Sequence, residues 1–144
     1  FSNRYLSSTP LVNHDYVKIT DDIENDIRSW LFKLKFSKYL SREFEFMEIA
    51  HDPYSNGILL AEIFCFLERA TVYNLIQNPK TITECRENIV KVLSLIRQKI
   101  KEFPSRLLGE SALEGILKKD KQIVFQILYY LKSIYPDAEA PRPE

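Results

Sequence analysis

From Thr20 onward, apolar residues recur at helical spacing, with Ile23, Ile27, Trp30, Leu31 and Leu34 on one face. Thr20 ahead of Asp21 and Asp22 supplies an oxygen cap and acids for the positive end of the helix dipole, which predicts a helix start there. A short amphipathic piece follows around Phe44, Phe46, Met47 and Ile49. The run 53–57 reads as a turn shaped by Asp52 and Asn56–Gly57, with Ser55 or Asn56 near the N-cap of a dense apolar helix over 58–67. Asn78-Pro79 breaks the chain again. Thr81 and Glu84 then form a capping box for a long helix over 84–103, carrying Cys85, Ile89, Val92, Leu93, Ile96 and Ile100 and ended by Pro104. A second box, Ser111 with Glu114, predicts a short helix holding Leu113, Ile116 and Leu117. From Asp120, the residues Ile123, Val124, Ile127, Leu128, Leu131 and Ile134 make a broad stripe. A helix apolar on most sides is buried on most sides. The pattern therefore predicts an all-α, compact globular domain with a buried C-terminal helix, the long 84–103 helix and the Trp30 helix packed around it.

Length and composition narrow the class. A chain of 144 residues with 45% hydrophobic residues is enough for one domain that needs no disulfide or metal staple. Three glycines argue against a Gly-rich phosphate loop or a hairpin-rich β architecture, where turns need positive φ. No apolar run approaches the roughly 20 residues of a membrane span. Residues 1–19 are polar, broken by Pro10, without sustained period, and read as an N-terminal extension. Residues 136–144, with Pro136, Pro141 and Pro143, read as a Pro-rich linker, leaving 20–135 as the domain. With Phe1 at the start, these ends suggest a piece of a longer protein. Cys65 and Cys85 sit singly in apolar patterns and read as core residues of a protein in a reducing, cytoplasmic compartment.

Catalytic chemistry needs convergent groups, and these are scarce. His14 lies in the N-terminal extension, and His51 with Glu48 and Asp52 is a poor metal or acid–base set, since structural zinc takes four ligands, usually Cys or His. The stretch Asp52–Gly57 opens like a calcium loop, but Tyr54 and Ile63 stand where that loop needs an oxygen ligand and a bidentate Glu. There is no GxSxG, GxxxxGK[ST] or HExxH. The expectation is a non-enzyme without cofactor, metal or small-molecule substrate.

Four segments across about residues 20–135 together resemble a calponin-homology domain. Trp30-Leu31-Phe32-Lys33-Leu34 resembles the family's Trp-containing first core helix. The run from Asp52 through Asn56-Gly57 to Phe64 is similar to its D-L-x-D-G-x-x-L-x-x-L turn and helix. Arg86-Glu-Asn-Ile89 followed by Leu93 resembles E-N-I-x-x-x-L. Gly115 to Leu131 runs without a gap beside D-I-V-E-G-D-x-x-x-x-L-x-L-L-W-x-L, with Tyr129 in the Trp place. Lys118 and Lys119 depart from the pattern, standing where the family usually has an acid and a Gly. The resemblance implies a binding module. Tandem pairs of such domains bind actin, which here would need a second repeat outside the chain. Single divergent copies resemble those of microtubule-based, centrosomal, ciliary and spindle proteins, which implies a cytoskeletal setting with tubulin as partner.

Charge adds one more expectation. Lys+Arg 20 against Asp+Glu 20 is neutral overall, yet the signs segregate. Between Ile27 and Arg42 all the charges are basic, between Glu43 and Glu68 all are acidic, and Lys118, Lys119 and Lys121 form another basic group. This predicts a partner-binding basic face of Arg28, Lys33, Lys35, Lys38, Lys118, Lys119 and Lys121 for an acidic partner such as tubulin or a filament surface. Reversing Lys118, Lys119 and Lys121 is expected to leave stability unchanged, because exposed charges carry little of it. Nucleic acid is disfavoured for want of an RNP-like or helix-turn-helix signature. The competing expectation is a scaffold domain gripping a partner helix in an apolar groove, decided by which of Tyr5, Tyr16, Phe36, Tyr39, Phe44 and Tyr54 are exposed.

Overall fold

The computed structural model describes residues 17–138 and, among them, contains five α-helices, four short 3-10 turns and no strand. The protein is all-α. The helices are α1 (Asp21–Lys33), α2 (Ile58–Glu68), α3 (Ile82–Lys99), α4 (Glu110–Leu117) and α5 (Lys121–Ile134). Between α1 and α2 the chain turns three times in 3-10 geometry, at Ser37–Tyr39, Arg42–Phe46 and Ile49–His51, where a single amphipathic piece was expected. A fourth such turn, Ser105–Leu107, precedes α4.

Local chemistry explains most boundaries. Thr20 caps α1, its hydroxyl accepting from the Ile23 N–H at 3.3 Å. Thr81 caps α3, and Glu84 reaches back to the Lys80 N–H at 2.7 Å, one residue beyond the usual box partner. Asp120 caps α5 by accepting from Gln122 N–H. The box at Ser111 is not formed. The helix starts two residues earlier, with Gly109 as an N-cap that offers no side-chain oxygen, so Ser111 lies inside the first turn. Helix α3 stops at Lys99, short of Pro104, as the chain turns to bury Ile100 and Phe103.

The core holds two interior helices rather than one. α5 buries Val124, Phe125, Ile127, Leu128 and Leu131 and packs against α1, α4 and α2. α2 is nearly as enclosed, with Leu59, Leu60, Ala61, Ile63 and Phe64 all buried. It is α2 and α4 that receive the apolar stripe of α3, so the long helix does not pack chiefly on α5 as the pattern predicted. Periodicity shows how much of a helix is covered but not by which neighbour. Cys85 is buried and Cys65 half-buried, both as free thiols, and burial pushes both thiols up.

The packed unit extends slightly past its expected start. Ile19 is buried, and the Gln122 side-chain amide brackets its backbone, accepting from its N–H and donating to its carbonyl at 3.1 Å each. At the other end, the Tyr135 hydroxyl donates to Glu68 and Ala138 lies against the core. His14, Tyr5, Tyr16 and most of the predicted Pro-rich linker lie outside the described residues. Among the described residues no helix is long and apolar enough to cross a membrane.

Ile127 and Leu131 are fully enclosed on α5. Truncating either to Ala should cost about 2–5 kcal/mol through the lost contacts and the cavity left behind. Thermal and denaturant melts of the two variants measure that cost.

Candidate functional site

The segment between α1 and α2 carries most of the sequence features of interest, and it is organised by one carboxylate. Asp52 is 0% exposed. Its Oδ1 accepts from the Tyr54 N–H at 3.0 Å, and its Oδ2 accepts from the Ser55 hydroxyl at 3.4 Å. The same oxygen receives the ammonium groups of Lys121, in direct contact, and of Lys119 at 3.4 Å. The 52–57 turn is thus interior, and its polar atoms are satisfied from within the fold. The Asn56 amide donates to the Ala50 carbonyl at 2.9 Å, and its oxygen accepts from Ile58 N–H at the head of α2. Gly57 sits at φ +88°, and a Cβ there would come within 2.7 Å of the Asn88 Cβ and 3.1 Å of the Ile89 nitrogen. Only glycine meets both demands.

Lys119 ties a further length of chain to this point. At φ +65° it occupies the left-handed conformation that favours glycine, closing the α4 terminus with Asp120 N–H on the Gly115 carbonyl at 3.0 Å. A lysine there costs backbone strain but gains an amine that glycine lacks. That amine donates to the carbonyls of Phe44, Glu45 and Met47 as well as pairing with Asp52. Lys121 also lies over the Tyr54 ring, 4.7 Å from its centroid. Burial pushes the Lys121 ammonium down, with Asp52 opposing the shift.

These contacts revise the predicted basic face. Lys119 and Lys121 are structural cations whose charge is met by Asp52. Arg28 is half-buried, paired with Glu24 at 2.8 Å and stacked 5.3 Å from the Phe125 centroid. Lys38 pairs with Glu62 at 3.1 Å over the Tyr39 ring. Lys33 and Lys35 are exposed, with no partner among the described residues, whereas the exposed Lys118 acts on the Glu114 carboxylate four residues earlier. Lys33 and Lys35 flank the end of α1 beside Phe32, which is 64% exposed. Lys118 belongs to a separate helix end.

Of the aromatics named as decisive, Tyr39 and Tyr54 are buried, whereas Phe36 and Phe44 are half-buried. The Tyr54 hydroxyl donates to the Tyr39 carbonyl at 2.6 Å. Among the described residues, the exposed aromatics are instead Phe32, Phe46 and Tyr73. A cleft of about 460 Å³ opens between the Ser37–Tyr39 and Ile49–His51 turns and the loop leading into α3. Asn88, read in the sequence only as part of the E-N-I resemblance and given no role, is fully buried on α3 and joins three segments. Its amide donates to the carbonyls of Asn56 and Ile76, and its oxygen accepts from Ile76 N–H at 2.8 Å. The signal for it was an amide on the apolar stripe next to Ile89. Among the described residues no three of His, Cys, Asp and Glu converge to hold a metal, and Asp52 is held by lysines rather than by His51 or Glu48. No family model matches the chain, and neither the curated proteins nor the solved structures give a match.

Removing a partner from a buried ion cluster leaves uncompensated charge. Asp52→Ala should therefore destabilise by about 3–5 kcal/mol, and pairing it with Lys119→Met and Lys121→Met should recover part of the loss in a denaturant-melt mutant cycle. Reversing Lys118, Lys119 and Lys121 together sets two carboxylates against Asp52, so its melting temperature should fall, contrary to the expectation for exposed charges.

Alkaline pH probes the same region. Burial raises the Tyr39, Tyr54 and Tyr135 phenols, with Glu62 adding to the first and Glu68 to the last. The neutral phenol is the form that the fold favours, so its contribution is complete below the ordinary tyrosine value and is lost as pH rises towards the raised folded values. Phenolate absorbance should show these three ionising together with unfolding, above about pH 10.

Proposed function

We propose that this domain is a non-enzymatic, calponin-homology-type binding module of a cytoplasmic, cytoskeleton-associated protein, docking an acidic partner, with tubulin in a centrosomal, ciliary or spindle setting as the leading candidate. The observation that carries this reading is the end of α1, where Lys33 and Lys35 stand exposed and unpartnered beside exposed Phe32. An aromatic anchor flanked by cations suits a surface that is acidic with apolar pockets, since aromatics dominate binding energy and charge steers the encounter. The order of the four sequence motifs supports the family assignment, and the all-α architecture is compatible with it. A scaffold role is the second reading, favoured by Phe46, which is 88% exposed on a segment whose carbonyls Lys119 holds. A rigidly presented aromatic binds at low entropic cost.

Co-sedimentation of the chain with microtubules and with F-actin, in parallel and at two salt concentrations, tests these readings. Binding to microtubules should weaken steeply with salt, because the Debye length shrinks from about 10 Å at 0.1 M to 3 Å at 1 M. Lys33→Glu with Lys35→Glu should reduce it about tenfold without lowering the melting temperature, and Phe32→Ala should weaken it at both salts. Binding that ignores salt and these changes but falls with Phe46→Ala supports the scaffold reading instead. Pelleting with F-actin alone would return actin to the front.

A further inference from the structure

We propose that the 460 Å³ cleft is a docking site for an extended, carboxylate-rich polypeptide segment; this rests on the acidic-partner reading and names where such a segment enters. The cleft lies within the range of ligand sites, roughly 300–1,000 Å³. Its wall carries Lys38, His51 and Lys80 and no carboxylate, in a protein whose acids and bases balance. Gln77 and Asn78 add amide donors, and both are exposed with no side-chain partner among the described residues. The two lysines come from separate segments, which spreads positive charge along the cleft, and His51 adds an imidazole N–H donor. A chain bearing repeated carboxylates matches that spread better than a single compact anion.

The cleft is pre-formed. Tyr39 is fixed by the Tyr54 hydroxyl on its carbonyl, and the Ile49–His51 turn is held by the Asn56 amide on Ala50. Glu62, half-buried and engaged by the Tyr39 hydroxyl, already pairs with Lys38, whose own side chain is exposed and can turn to a second carboxylate in the cleft. Tyr39 is buried and Phe44 half-buried, so neither offers the open ring face on which single-stranded nucleic acids stack. Polypeptide is therefore favoured over nucleic acid.

The test is an amide chemical-shift titration of the isotope-labelled chain with a hexaglutamate peptide and, as control, hexaglutamine. Saturable shifts should gather at residues 38, 51, 77, 78 and 80 with hexaglutamate alone, and should fade as salt rises. Lys38→Glu with Lys80→Glu should weaken the peptide about tenfold, whereas Lys33→Glu with Lys35→Glu should change it less than about twofold. The wild-type shift map stands even if the first variant folds poorly. Shifts confined to the end of α1, equal shifts with hexaglutamine, or displacement of the peptide from the cleft by inorganic phosphate or a thymidine oligonucleotide would overturn the proposal. Hexaglutamate in the cleft without microtubule pelleting keeps the site and removes tubulin. Microtubule pelleting without shifts in the cleft does the reverse.

Discussion

A single buried carboxylate organises the half of this domain that carries its distinctive features. Leaving a charge in a protein interior is prohibitive unless it is paired and hydrogen-bonded. Asp52 meets that condition by drawing two lysines from the α4–α5 junction and two donors from its own turn. In doing so it fastens the long connection between α1 and α2 to the far end of the chain. Lys119 extends the connection by holding three carbonyls of the 3-10 turn at Arg42–Phe46 and the residue beyond it. A stretch of short turns, which helical packing alone would leave loosely defined, acquires a fixed path.

That constraint changes the meaning of the charge pattern. Along the sequence, Lys118, Lys119 and Lys121 look equivalent, and the acidic stretch from Glu43 to Glu68 looks like an opposing face. In three dimensions one acid of that stretch consumes two of those bases, Glu62 takes Lys38, and Glu24 takes Arg28. At the end of α1, by contrast, no carboxylate pairs with Lys33 or Lys35 among the described residues. This is why Lys33 and Lys35 carry the functional reading and Lys119 and Lys121 do not. It also explains how a lysine can persist at a left-handed position where a glycine would suffer no strain: its amine closes a site that the backbone alone cannot.

The helices, their approximate starts, and the burial of the C-terminal helix were legible in the sequence, because they depend on interactions within a few residues. Thr20, Thr81 and Asp120 act on N–H groups two to three positions away, and an apolar stripe states how much of its helix is covered. The Ser111 box shows the limit of that locality, since a neighbouring start at Glu110 competed with it and prevailed. What only the tertiary structure decided are relations between separate segments: that Asp52 meets Lys119 and Lys121, that α3 leans on α2 and α4, and that Tyr54 is buried while Phe46 is not. A charged side chain reads the same in sequence whether it is solvated or paired. Its partner is chosen by where the packed helices bring the chain, and periodicity along one segment holds no information about that.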